Sequence, residues 1–517
     1  MKKITLFLII ILAISGCSKD FLNETNPNSL AIDNFWKTSG DVDKASAGVY
    51  AQLQSNDFYN GNSSGQNAGV YRLDFISDNG YCNYDFINGA SVARGDYSPT
   101  DGLVNAFWTA CYKMIQRSND FLENVDRVKA VTEANRNTMK SEIRFLRALA
   151  YHHLAMCYRD APLIKATQTL EEAKVPKNTY KELSDFVISE LNAITAGSEL
   201  PVTVAKGRVS RGAALALLAR FYLYNKNFTE AAVTTKKVID LNQYNLSTPY
   251  TTLFTIAGEA SKDVIFAVQY AGPGLAAGVG ASFNGYFPAA PQVHTVALPN
   301  LADAYYCTDG LPITRSPLYN ATNKTLNRDP RFNATVVTTQ SMFKGAAILA
   351  TNLAPTRYRL RKWADESAAN STNAFDNAQD YYVLRYAEVL LTRAEALLES
   401  GSYTEKEVVD LVNLVRVRAT MPKVEAVEGS NLTKQQLIDI VRQERRVETA
   451  FEGLRYYDLK RWGILKERTV DTYMSVDKVQ ATAIQNRTFN AARHNVWPIP
   501  QREIDANSAL VQHPEWQ

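Results

Sequence analysis

Glu444 and Glu448 stand four residues apart in a stretch of helical periodicity, which sets both carboxylates on one helix face, the pairing a glycoside hydrolase needs. The same stretch carries Arg445, with Arg455 and Arg461 close behind, and both glutamates border an apolar stripe of Leu437, Ile440, Val441, Val447 and Phe451. Carboxylates beside a core require cationic partners. The plainer expectation is therefore a structural ion-pair network with no catalytic role. Arg385, Glu388 and Glu395, stacked along one side of another helical stretch, read the same way.

A different chemistry suits the two irregular stretches. Residues 55–100 are rich in Gly and Asn and contain Asp74, Asp78, Asn79, Tyr81, Asn83 and Tyr84; residues 250–375 contain Phe283, Asn284, Tyr286, Phe287, His294 and Trp363. Carboxylates, amides and aromatic faces together match a pyranose, whose hydroxyls pair with polar groups while its C–H face packs on a ring. Recognition residues concentrate on loops carried by a rigid frame. The expected ligand-binding residues are Asp78, Asn79, Tyr81, Tyr84, Phe283, Asn284, Tyr286, Phe287 and Trp363, acting without catalysis. Beyond Cys17, the cysteines at 82, 111, 157 and 307 and the five histidines are too scattered for a metal cluster, so neither metal nor cofactor is expected.

The elements that must position these loops are helical. Apolar residues recur at helical spacing over 41–53, 107–125, 136–158, 180–195, 208–225 and 228–241, and again from 380. Leu218, Ala219, Tyr222, Phe228, Ala231 and Val238 fall close to the packing positions of a tetratricopeptide repeat, with looser pairs at Tyr382 to Ser400 followed by Glu405 to Thr420, and at Asn137 to Tyr158. Thr433 and Gln436 form a capping-box signature at the start of a late helix. Asp329-Pro330-Arg331-Phe332 reads as a turn that braces the fold. The predicted fold is mostly α: a tetratricopeptide-like helical scaffold with long irregular loops and a few short strands. It divides into an N-terminal part, 31–250, and a C-terminal part, 251–517, with 251–375 loop-rich and the two parts packed as one unit.

Lys2 and Lys3, an apolar run from Ile4 to Ile14, then Ser15-Gly16-Cys17 form an export signal too short to span a bilayer. Ile14-Ser15-Gly16-Cys17 looks like a bacterial lipobox, so residues 1–16 read as a signal peptide, Cys17 as the acylated first residue of the mature chain, and 17–30 as a lipid-anchored tether. The whole chain carries 56 basic and 53 acidic side chains, a balance that excludes a nucleic-acid partner.

Several segments together resemble the SusD/RagB lipoproteins of Bacteroidota outer membranes. They are Arg147-Ala148-Leu149-Ala150-Tyr151 with Asp160-Ala161-Pro162-Leu163-Ile164; Gly212 to Tyr224; Leu384-Arg385-Tyr386-Ala387-Glu388-Val389-Leu390-Leu391 with Ala394-Glu395-Ala396; Glu444 to Glu448; and Glu452-Gly453-Leu454-Arg455-Tyr456-Tyr457-Asp458-Leu459-Lys460-Arg461-Trp462. Pro498-Ile499-Pro500, Glu503-Ile504, Asn507 and Gln512-His513-Pro514 resemble the closing segment of that family. The resemblance implies a cell-surface receptor on the outer membrane that binds oligosaccharide and passes it to a SusC-like TonB-dependent transporter. Alternatives are a peptide or glycoprotein-fragment receptor of the same uptake type, a surface glycoside hydrolase, and a scaffold that holds only the transporter.

Overall fold

The computed structural model describes residues 35–59, 69–271, 295–343, 345–348, 350–353, 356–364, 366, 378–471 and 485–517. The signal peptide, Cys17, the tether to residue 30, Phe283, Asn284, Tyr286, Phe287 and His294 lie outside the described residues.

The scaffold is a succession of helices, most of which pack on the next. After α1 (Ser39–Tyr50) come α2 (Gly102–Asn124), α3 (Glu133–Tyr158), α4 (Tyr180–Ala196), α5 (Arg211–Tyr224) and α6 (Phe228–Asp240). The C-terminal part adds α7 (Tyr386–Ser400), α8 (Glu405–Arg418), α9 (Lys434–Glu448) and α10 (Arg455–Arg461). α2 lies on α3, α3 on α4, α4 on α5, α5 on α6, α6 on α7, and α7 on both α8 and α9. Helix starts are set by local chemistry. Thr38 with Asp41, Thr179 with Glu182, and Thr433 with Gln436 close capping boxes, and Asp101 accepts from the amides of Leu103 and Val104. The Asp329-Pro330 turn works similarly: Asp329 accepts from the Arg331 amide at 2.9 Å, with Pro330 opening a short helix.

α5 is buried along its whole length from Gly212 to Tyr224, as expected of a helix apolar on all sides. Its buried cation, Arg220, is neutralised from the other half of the chain: Nε donates to Glu388 of α7 at 2.7 Å and Nη2 at 2.6 Å. One continuous hydrophobic core takes residues from both halves.

Strands are few and short. β1 (Gly80–Cys82) pairs antiparallel with β3 (Thr295–Ala297), and β2 (Val264–Val268) with β4 (Tyr381–Arg385). The helix expected from Tyr382 therefore begins only at Tyr386. Tyr381 to Arg385 is a buried strand because its aromatic and branched side chains find a partner in β2. Cys82, Cys111, Cys157 and Cys307 are buried and unbridged. Among the described residues, no helix is long and apolar enough to cross a membrane.

Candidate functional site

The Glu444–Glu448 pair on α9 sits inside a charge network with no route to a substrate. Arg331 donates to Glu444 at 2.6 Å and to Glu448 at 3.2 Å, Arg416 donates to Glu444 at 3.0 Å, and Arg385 reaches Glu448 at 2.9 Å; Arg418 also holds Glu448. Arg385 further engages Asp263 at 2.8 Å and Glu452 at 2.6 Å, and Lys362 meets Glu452 at 2.7 Å. With Asp329 paired to Arg331, five buried cations thus face five buried carboxylates. Burial alone would raise Glu448; Arg418, Arg385 and Arg331 outweigh it and bring its carboxyl down to about 2. The space beside Glu444 amounts to about 10 Å³, room for one water and no sugar. Glu395 is likewise consumed, by Arg461 at 2.7 Å and the Trp462 indole at 2.6 Å.

Asp78, Asn79 and Trp363, three of the residues whose types suit sugar binding, belong to this frame. Asp78 is buried, with Arg455 Nε at 2.7 Å, Arg455 Nη2 at 2.9 Å and Arg446 at 3.0 Å. Burial opposes its charge, but Arg446 and Arg455 prevail and hold the carboxyl far below the usual range. Asn79 accepts from Arg446 at 3.2 Å and donates to Asp74 at 2.9 Å. Trp363 is buried with φ of 72°, its indole N–H donating to the Phe451 carbonyl at 3.0 Å and its ring stacked on Tyr381 at 5.0 Å.

Asp74 fastens the turn after α9. It accepts from the Phe451 amide at 3.1 Å and from the Gly453 amide at 2.6 Å. Gly453 has φ of +77°, and a Cβ there would lie 2.7 Å from the Val70 carbonyl oxygen, so only glycine fits. Burial pushes the Asp74 carboxyl up to about 6 against the hydrogen bonds from Asn79, Gly453 and Phe451. The folded protein then holds this proton more tightly than the unfolded chain, so the group's contribution is greatest in acid and is lost as pH rises through about 6. Asp74→Asn keeps an acceptor oxygen for one of the two amides and removes the titrating proton. Urea unfolding should show wild type losing about 2 kcal/mol more than this variant between about pH 4.5 and 7.5; equal losses would show that the proton is not held there.

What faces outward is a pair of rings. Tyr84 is 39% and Phe86 53% exposed, their centroids 5.4 Å apart and their planes 13° from parallel. Among the described residues they are the two aromatic side chains in the exposed class. Their support is built in steps: β1 ends at Cys82 opposite Thr295, the Tyr84 carbonyl accepts the Ile87 amide at 3.1 Å, and Ile87 is buried as the anchor of the turn. Tyr81, in β1, is nearly covered, and burial raises its hydroxyl. Of the described candidates Tyr84 is exposed and Tyr81 buried, and exposed beside Tyr84 is Phe86, which sequence reasoning passed over. Its signal in the sequence was a large apolar residue alternating with Tyr84 and Asp85 in an otherwise polar run.

Residues 262–516 match the model of the SusD family, and residues 20–223 match that of a family described as starch-binding and associating with the outer membrane. The chain belongs to the SusD family. A SusD-like protein from Formosa agariphila is 27% identical over 99% of both chains, and the starch-binding protein SusD of Bacteroides thetaiotaomicron is 26% identical over 77% of this chain and 76% of its own. The fold agrees: a SusD-like carbohydrate-binding protein from Bacteroides fragilis superposes with a TM-score of 0.82 and 26% identity, over 92% of this chain and 100% of that one. The mostly helical scaffold with few short strands is thus the SusD architecture.

Proposed function

We propose that this SusD-family protein is a non-enzymatic, surface-exposed outer-membrane lipoprotein, anchored through Cys17, that binds an oligosaccharide and hands it to a SusC-like TonB-dependent transporter. The observation that carries the binding step is the stacked Tyr84–Phe86 pair, the two aromatic side chains in the exposed class among the described residues. Their exposed ring area is apolar surface against which the C–H face of a sugar can pack. Tyr81 and the candidates Phe283, Asn284, Tyr286 and Phe287 extend this reading. Support comes from relatives named for starch and carbohydrate binding, and from the enclosure of the Glu444–Glu448 pair, which leaves that pair no hydrolytic role.

Calorimetry of the mature protein against a glycan panel, with a peptide mixture alongside, tests it. Phe86→Ala should weaken binding about fivefold or more, since one stacking contact contributes about 1 kcal/mol beyond its area. Binding to peptides and to no glycan would replace the ligand in this reading; turnover of any glycan would end it.

A further inference from the structure

We propose that Arg487 and Thr488 are positioning residues for the Tyr84–Phe86 surface, holding the loop that carries the rings in its binding geometry; the inference rests on the glycan-binding reading above. The rings sit in a loop between β1 and the short helix Ala90–Arg94. Two consecutive residues from near the other end of the chain grip both ends of that loop. Arg487 is buried and donates Nη1 to the Ser77 carbonyl at 2.7 Å and Nη2 to the Gly80 carbonyl at 2.9 Å. Thr488 donates its amide at 2.8 Å and its hydroxyl at 2.9 Å to the Arg94 carbonyl. The Arg94 guanidinium carries the hold back into the ring turn, because its Nη1 meets Asp85, the residue between the two rings in sequence, at 2.6 Å.

Close approach is built into the far end of the loop. Gly95 has φ of +80°, and a Cβ there would collide with the Thr488 carbonyl oxygen, so the two segments touch only because residue 95 has no side chain. The gripping segment is itself anchored to the scaffold: Trp497 is buried, and its amide donates to the Cys157 carbonyl of α3 at 2.9 Å. Nearer the grip, the His494 ring packs on Tyr97 with centroids 5.1 Å apart. Surface loops are ordinarily the mobile parts of a fold. A loop tied at both ends to a fixed segment samples fewer conformations, so its rings meet a ligand already arranged and less ordering opposes binding. Where the arranged population falls to about one fifth, apparent affinity falls about fivefold.

The test is calorimetry of the mature protein with the tightest-binding member of a panel of gluco-, xylo-, manno- and galacturono-oligosaccharides. It compares wild type, Arg487→Met, Gly95→Ala and Phe86→Ala, and each of the first two combined with Phe86→Ala. Arg487→Met and Gly95→Ala should each weaken binding about fivefold. Combined with Phe86→Ala, each should give a total loss under about tenfold, against the about twenty-five-fold of independent sites, because all act through the same rings. Amide hydrogen exchange of the two single variants should rise within 83–95 and stay unchanged across α5 and α9. Full multiplication of the effects, unchanged exchange within 83–95, or wild-type affinity in either folded variant while Phe86→Ala is weakened, overturns the positioning role and leaves glycan binding intact. Wild-type silence toward every probe overturns both. Should Arg487→Met fail to fold, Gly95→Ala carries the test; failure of both to fold overturns the local role by making this segment part of the global core.

Discussion

A Glu448→Gln variant is expected to lose about 3–5 kcal/mol of folding free energy, a large share of what a protein has to spare. The buried carboxylate answers Arg331, Arg385 and Arg418 at once, and a neutral amide leaves three guanidinium groups with less anion than the enclosed site needs. Urea unfolding reads the loss directly. An Arg418→Gln partner in a double-mutant cycle gives the coupling. An unchanged midpoint would mean that the remaining carboxylates share the burden and that no one of them is indispensable. The carboxyl sits at about 2 in the folded protein, so its contribution is complete above the ordinary glutamate range and is lost as pH falls toward that value. We take residues 31–250 and 251–517 to form one folding unit, joined by pairs such as Arg220–Glu388. The loss should therefore appear in a single transition, and two separated transitions would split the unit.

Trp363→Ala is expected to be similarly damaging, by about 3–5 kcal/mol, while glycan affinity of the molecules that remain folded should hardly change. The indole fills a closed space against Phe254, Tyr381 and Tyr382 and ties its N–H to the turn at Phe451. The comparison with Phe86→Ala is the informative part, because that substitution should do the reverse: weak binding, unchanged stability. If Trp363→Ala instead abolished binding at full stability, the ligand would lie deeper than the Tyr84–Phe86 surface.

The helical scaffold was largely readable because its signals are local. Periodicity placed α2 to α6 to within a few residues, and the Thr433–Gln436 box marked the start of α9. Tyr381 to Arg385 was misassigned because its strand partner, Val264 to Val268, lies far away in sequence. The ion-pair reading of Glu444 and Glu448 could be argued from composition, since arginines crowd the same segment. Asp78 and Asn79 could not be judged in that way. Their types suit a sugar, and the residues that claim them, Arg446 and Arg455, come from the opposite end of the chain. Phe86 was missed because hydrophobic residues are ordinarily assigned to the interior, and only the buried neighbour Ile87 reveals which way the turn faces.

For the exported protein proposed above, the four enclosed thiols carry a further consequence. Burial raises Cys82 and lifts Cys157 to about 12, suppressing the thiolate that oxidants attack. The finished protein is therefore chemically quiet in an oxidising compartment, whereas a chain still threading through it exposes four thiols able to cross-link wrongly. Rapid folding after export becomes the safeguard, and the rate at which a thiol reagent labels these cysteines serves as a built-in clock for how often the native state opens.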